Sequence, residues 1–360
     1  MTGDEKRLAG ELVSEIEGVT RRIGRPLSLM EVCGTHTVEL RRKGIHSLLP
    51  KEISLISGPG CPVCVTPVGY VDNALFLAES GKAMIATFGD MLKVPGAGGR
   101  ALSSLSGRGL VKVVYSPMEL TDFARKSRLP VVFLAVGFET TIPTAVSALL
   151  QARDAGIKNL LLYTAFKTVT PALRFLLSSQ DHGIDGFILP GHVSVIIGER
   201  AYEFLADPGG RPGVITGFEA LDMLMGILLL VRQIEKGQQR VENAYPRAVK
   251  AEGNPRALAL MEKNLESRND VWRGLGVIPG GGLGLRAELA AMDAEKRFAL
   301  PPARDAEAPG CICSRVIAGR AQPTQCGLFG RRCTPDDPVG PCMVSSEGTC
   351  AAYLRYGARA

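Results

Sequence analysis

Between Cys64 and Cys311 the chain has no cysteine at all, although it carries nine in total. It also has a single tryptophan and four histidines, so any site built from these residue types rests on few side chains. No long run of one charge sign occurs, and the net charge of +6 is modest, which argues against a nucleic-acid binder. The longest apolar run, Met223 to Val231, is too short to span a bilayer. A leader is not indicated either: Met1 to Glu17 alternates charged and apolar residues and reads as an amphipathic helix, not a signal peptide. Neither Gly96-Ala97-Gly98-Gly99 nor Gly280 to Gly284 fits a dinucleotide or phosphate loop, and both read as turns. These exclusions predict a cytoplasmic globular protein without membrane or nucleic-acid partners. There structural disulfides are rare, and clustered cysteines hold metal or do redox work.

At 360 residues, 46% of them hydrophobic and 22% charged, the chain is long enough for two or three cores. From Leu27 to Glu219 short β-branched runs alternate with helical patterns. The strand candidates are Ile53–Ser57, Met84–Phe88, Val111–Tyr115, Val131–Val136, Leu160–Thr164, Phe187–Leu189 and Val214–Thr216. Near-continuous apolar strands separated by helices predict parallel sheets covered on both faces. The expected organisation is an N-terminal helix over 1–26, an α/β domain over 27–117 and a second over 118–219. A mainly helical connecting segment then packs on both over 220–300, broken at Ile278–Gly284, and a tail occupies 301–360. No tight repeat relates the two α/β units. The tail is rich in Cys, Pro and Gly and has little apolar periodicity, so it should need metal or covalent staples.

Six cysteines fall in that tail: Cys311, Cys313, Cys326, Cys333, Cys342 and Cys350. Four thiolates suit a [4Fe–4S] cluster or a structural zinc, but neither paired C-x-x-C repeats nor a compact ferredoxin run is present. Cys311 and Cys313 are two apart, so in an extended segment they point to opposite faces and one can ligate while the other pairs. The six therefore divide into four ligands and one redox-active pair. The spacing favours a cluster over zinc, and zinc over disulfides alone.

The head of the chain carries a different sulfur chemistry. Gly58-Pro59-Gly60-Cys61-Pro62-Val63-Cys64 sets a C-x-x-C between a strand and a helix, where the helix dipole favours thiolate. In Glu31-Val32-Cys33-Gly34-Thr35-His36-Thr37, Cys33 and His36 are close enough to converge on one ligand. Gly137-Phe138-Glu139-Thr140-Thr141 and Pro190-Gly191-His192-Val193-Ser194 end later strands. They are expected to line one edge of the second unit, facing a cleft between the two domains.

Taken in order, Cys33-Gly34-Thr35-His36, Gly58 to Cys64, Gly137 to Thr141, Pro190 to Ser194 and the tail with Cys342 and Glu347-Gly348-Thr349-Cys350 resemble the HypD family of hydrogenase maturation proteins. The likeness runs from about Leu27 to Tyr356. It departs at Ala165-Phe166-Lys167-Thr168, where the family pattern has His before the lysine.

The resemblance implies two Rossmann-like α/β domains facing a cleft and a C-terminal iron–sulfur domain. It implies a scaffold, only loosely an enzyme, that assembles the Fe(CN)2CO group of [NiFe]-hydrogenases with the chaperone HypC. Cyanide would come from HypE, charged by HypF, and the hydrogenase large subunit would be served indirectly. On that basis Cys33, with His36 adjacent, would hold iron, Cys61 and Cys64 would cycle between dithiol and disulfide, and Glu139, Thr140 and His192 would line the cleft for cyanide. The ligand set implied for a [4Fe–4S] cluster is Cys313, Cys326, Cys333 and Cys350, leaving Cys311 and Cys342 as the neighbouring pair, with Cys311 and Cys313 interchangeable. The same tail resembles ferredoxin–thioredoxin reductase, so a stand-alone thiol–disulfide oxidoreductase is the alternative. It leaves Cys33 and His36 without a role.

Overall fold

The computed structural model describes residues 2–178 and 183–357; Met1 and residues 358–360, which the expected terminal segments included, lie outside the described residues. Among the described residues eleven strands form two sheets. They are β1 (Leu27–Glu31), β2 (Ile53–Ser57), β3 (Met84–Thr87), β4 (Val111–Val113), β5 (Val131–Gly137), β6 (Leu160–Lys167), β7 (Gly186–Pro190), β8 (Gly213–Thr216), β9 (Val241–Asn243), β10 (Leu265–Trp272) and β11 (Gly276–Leu285). The first sheet has the order β2-β1-β7-β8-β9 and is parallel throughout. The second has the order β10-β11-β6-β5-β3-β4, parallel from β6 to β4 and closed on one side by the antiparallel β10–β11 hairpin.

Every strand expected from the apolar runs is present, but the grouping differs from the expected split after residue 117. The chain lays down β1 and β2, leaves to build β3 to β6 in the other sheet, and returns with β7 to β9. Strand identity is written in local apolar runs, whereas sheet membership depends on which strand pairs with which, a long-range choice. The 220–300 segment is likewise not mainly helical. It supplies the helices Ala220–Glu235 and Pro255–Asn264, but also β9, β10 and β11. The glycine run read as a turn lies inside β11, with Gly282 opposite Lys167 and Leu283 opposite Phe166. A ladder needs only backbone groups, so a run without side chains hides its strand period from inspection.

Helix Gly3–Ile23 buries Leu12, Ile16 and Val19 and lies along helix Ala220–Glu235, with Arg22 Nε donating to Glu235 at 2.5 Å and Arg232 paired with Glu15. One continuous cluster of buried apolar side chains runs from Phe133 and Leu162 in the second sheet through Val63 and Val65 to Cys313, Ile317 and Cys342 in the tail. The tail thus borrows the main core. Among the described residues no helix is long and apolar enough to cross a membrane.

Candidate functional site

Sheet order turns four distant loops into neighbours. Loops after parallel strands leave from the carboxyl edge, where ligands of open α/β sheets bind. In the first sheet the strands β2, β1, β7 and β8 stand side by side. They are followed by Gly58–Cys64, Cys33–His36, Gly191–Ser194 and Gly217–Glu219. His192 and Glu139 therefore do not share an edge of one unit as expected: His192 follows β7 in the first sheet, Glu139 follows β5 in the second.

Cys33 caps helix Gly34–Arg42 in an extended conformation (φ −147°, ψ 126°). The loop after β2 lies directly against it. Gly34 N–H donates to Gly60 O at 3.0 Å, and a Cβ on residue 60 would stand 2.5 Å from Cys33 N. Only glycine permits that approach, so Cys33 and Cys61 are brought side by side by backbone packing. From the tail, Glu347 closes in on the same motif. Its carbonyl would lie 2.5 Å from a Cβ at Gly34, and its Oε1 accepts from Thr35 Oγ1 at 2.6 Å.

His36 is fully buried. Its Nε2 lies 3.0 Å from Gly217 O; a carbonyl only accepts, so Nε2 carries the proton and Nδ1 is left buried with no partner. Burial holds the imidazole down to about 4, neutral at physiological pH. Phe218 stacks on His36, with ring centres 4.6 Å apart, and on the exposed His192 at 4.0 Å. Glu139 is buried, with Oε1 accepting from Val169 N–H at 2.9 Å and Oε2 unpartnered, and burial raises its carboxyl to about 7. Thr140 beside it is half-buried.

All nine cysteines are free thiols. Cys61 caps a one-turn helix, Pro62–Val65, and its Sγ lies 2.6 Å from Cys64 Sγ. The turn carrying Cys64 packs against the Pro341–Met343 turn that carries Cys342, whose Sγ lies 2.9 Å from Cys313 Sγ, and Cys311 flanks Cys313. The head and tail thiols thus form one file: Cys61, Cys64, Cys342, Cys313, Cys311. The thiolate expected at the C-x-x-C is not favoured at Cys64, nor does Cys33 at its own helix start favour one. Burial, then the Glu347 charge, pushes Cys33 up to about 11, and burial lifts Cys64 well above the ordinary thiol range. Desolvation outweighs a dipole that one or two turns of helix can supply.

In the tail Cys313, which the sequence left interchangeable with Cys311, is the one in contact with Cys342. All six tail cysteines line one pocket with Leu328, Phe329 and Met343. Cys313 and Cys342 lie deep and touch each other, whereas Cys311, Cys326 and Cys350 are partly exposed. Cys350 lies within electrostatic reach of Cys333, Cys311 and Cys326, and also of Cys313 and Cys342. Among the described residues no three His, Cys, Asp or Glu side chains are arranged to hold a single metal ion. A cubane places each thiolate on a different iron, so four separated thiols around one apolar pocket are the donor set it takes.

Three contributors were not singled out from sequence. Glu347 was visible only as part of a tail motif. Asp90 accepts from Ser345 Oγ at 3.0 Å and anchors the Cys342–Cys350 loop to the second sheet. Phe218 had a signal that could have found it: Gly-Phe-Glu occurs at both 137–139 and 217–219, each time after a core strand.

A family model described as HypD, hydrogenase formation hypA family, matches residues 7–357. The hydrogenase expression/formation protein HupD of Azotobacter chroococcum is 42% identical over 98% of this chain and 94% of its own length. The hydrogenase maturation factor HypD of Cupriavidus necator is 41% identical over 97% of this chain and 95% of its own, and that of Escherichia coli 40% over 98% and 97%. With three of the four head motifs gathered on one sheet edge and a match over nearly its whole length, the chain belongs to the HypD family of hydrogenase formation proteins.

Proposed function

We propose that this protein is the scaffold on which the Fe(CN)2CO group of a [NiFe]-hydrogenase is built, working with HypC and receiving cyanide from HypE and HypF. The observation that carries the reading is the file of thiols joining the Cys33 edge to the tail pocket.

Iron is the cargo. Cys33 Sγ and a cysteine of HypC hold it, with the neighbouring His36 carrying a buried, unprotonated Nδ1 that has no hydrogen-bond partner; soft thiolate suits low-spin iron with strong-field ligands. Since the Cys33 thiol is protonated at neutral pH, iron binding releases its proton. His192, exposed at the same edge, and Glu139 and Thr140, across from the second sheet, are the groups offered to incoming cyanide.

Cys61 and Cys64 carry two electrons and two protons when they pass between disulfide and dithiol. The exchange Cys61–Cys64 disulfide plus Cys342/Cys313 dithiol to Cys61/Cys64 dithiol plus Cys342–Cys313 disulfide balances without an added reductant, and the turns that carry Cys64 and Cys342 pack against each other. Cys311, Cys326, Cys333 and Cys350 would hold a [4Fe–4S] cluster, which supplies single electrons when bound.

The test is an iron, zinc and sulfide assay on anaerobically purified protein, followed by infrared spectroscopy with HypC. Cyanide and carbonyl stretches that vanish in Cys33→Ser support the scaffold. Zinc without sulfide, even after attempted reconstitution, would remove the electron-supply role. Cys311→Ser should lose cluster iron and sulfide while Cys313→Ser keeps them; the reverse result would restore Cys313 as the ligand.

A further inference from the structure

We propose that Phe218 is the positioning residue of the Cys33 site, its ring stacked on both His36 and His192 so that the two imidazoles are held together and the buried His36 Nδ1 stays unprotonated and free of a hydrogen-bond partner, as metal binding requires. This rests on the reading of Cys33 and His36 as the iron site and names a residue which that reading does not include.

Two adjacent residues hold His36 by different means. Gly217 O takes the Nε2 proton at 3.0 Å, which selects the tautomer. Phe218 lies nearly parallel to the ring, 28° between planes and 4.6 Å between centres, which fixes its orientation. A hydrogen bond alone lets an imidazole turn about its Cβ–Cγ bond and exchange the Nδ1 side for the carbon side. That turn takes the ring edge-on through the space Phe218 fills, so stacking blocks it. His192 stacks on Phe218 in the same manner, at 27° and 4.0 Å.

Phe218 is itself held. Tyr245 meets it edge to face at 6.5 Å, and a Cβ on Gly191 would stand 3.2 Å from its ring. The residue that would otherwise carry that Cβ directly precedes His192, so β1 and β7 bring the two imidazoles to the ring that follows β8. Second partners that orient a metal-binding imidazole commonly change metal affinity by about 10–100-fold when removed.

The experiment uses full-length protein with ring-15N histidine. Only four histidines are present, so His36→Gln and His192→Gln suffice to assign the two rings. Long-range proton–nitrogen spectra are recorded at neutral pH on wild type, Phe218→Leu and Phe218→Tyr, with anaerobic Fe(II) titrations of each. The expected result is one Nε2–H tautomer for His36 in wild type and Phe218→Tyr. In Phe218→Leu the His36 tautomers mix, the His192 ring signals move, and Fe(II) affinity falls about tenfold. An unchanged His36 tautomer in Phe218→Leu overturns the proposal, as does a loss in Phe218→Tyr equal to that in Phe218→Leu. If Cys33→Ser leaves Fe(II) affinity unchanged, the iron reading is what fails; the spectra, recorded without iron, still decide whether Phe218 orients the rings.

Discussion

Gly217-Phe218-Glu219 follows β8 in the first sheet, and Gly137-Phe138-Glu139 follows β5 in the second. In the first, Phe218 is half-buried between His36 and His192, and Glu219 points to solvent, paired with Lys43 at 3.0 Å. In the second, Phe138 is buried with its ring centre 5.8 Å from that of Trp272, and Glu139 is enclosed, bonded to the Val169 amide. The same tripeptide in the same place on two sheets has opposite surroundings. What differs is the neighbouring strand: β7 and β1 bring to β8 a loop edge with buried Cys33 and His36 and the exposed His192, whereas β5 has β6 beside it, with β11 beyond and the Trp272 hairpin closing the space. One sheet edge is left open for chemistry and the other is packed for stability.

That contrast can be broken by substitution. Phe138→Ala should be the costliest change, about 3–5 kcal/mol of unfolding free energy, read by denaturant titration. Phe218→Ala, at a half-buried position, should cost less than half of that. Equal losses would mean that both edges are structural. Next in size is Glu139→Gln. The folded carboxyl sits near 7 and the unfolded one near 4.5, so the folded state binds the extra proton between these values and wild-type stability declines as pH rises through that window. Removing the charge should therefore stabilise the protein by about 1–3 kcal/mol at pH 8 and do nothing at pH 4. A stabilisation that persists at pH 4 would assign the effect to packing. Glu219→Gln is the matched comparison, expected to stay within about 0.5 kcal/mol at either pH, since its ion pair is exposed. Iron binding at the open edge should sharpen the distinction further. Because Cys33 must lose a proton held up to about 11, apparent Fe(II) affinity should rise with pH between about 6 and 9, by up to tenfold per unit. Glu139→Gln should leave that slope intact.

The two thiol groups extend the same lesson. Cys61-Pro62-Val63-Cys64 and the tail cysteines are visible as clusters in the sequence, yet nothing in their spacing says that Cys64 meets Cys342. The tail reaches the head twice along one short loop: Cys342 at the thiol file and Glu347 at Thr35, with Ser345 pinned to Asp90 between them. Spacing also left Cys311 and Cys313 interchangeable, because an extended segment sends them to opposite faces without saying which face holds the partner. Cys313 starts the helix Cys313–Ile317 and is buried on Cys342, which separates the two.

By itself the sequence determined the strand runs, their parallel character, the motifs at their ends and the separation of a head and a tail sulfur chemistry. These are local properties: apolar periodicity, glycine and proline at turns, and cysteine spacing within a few residues. Only the tertiary structure decided that β7 and β8 rejoin β1 and β2, that a glycine run is a strand, that Glu139 faces from the other sheet, and that Phe218 lies between two histidines. The return of β7 to β1, the pairing of β11 with β6 and the meeting of Phe218 with His36 span more than a hundred residues, where backbone ladders and buried area select among arrangements that the local sequence permits equally.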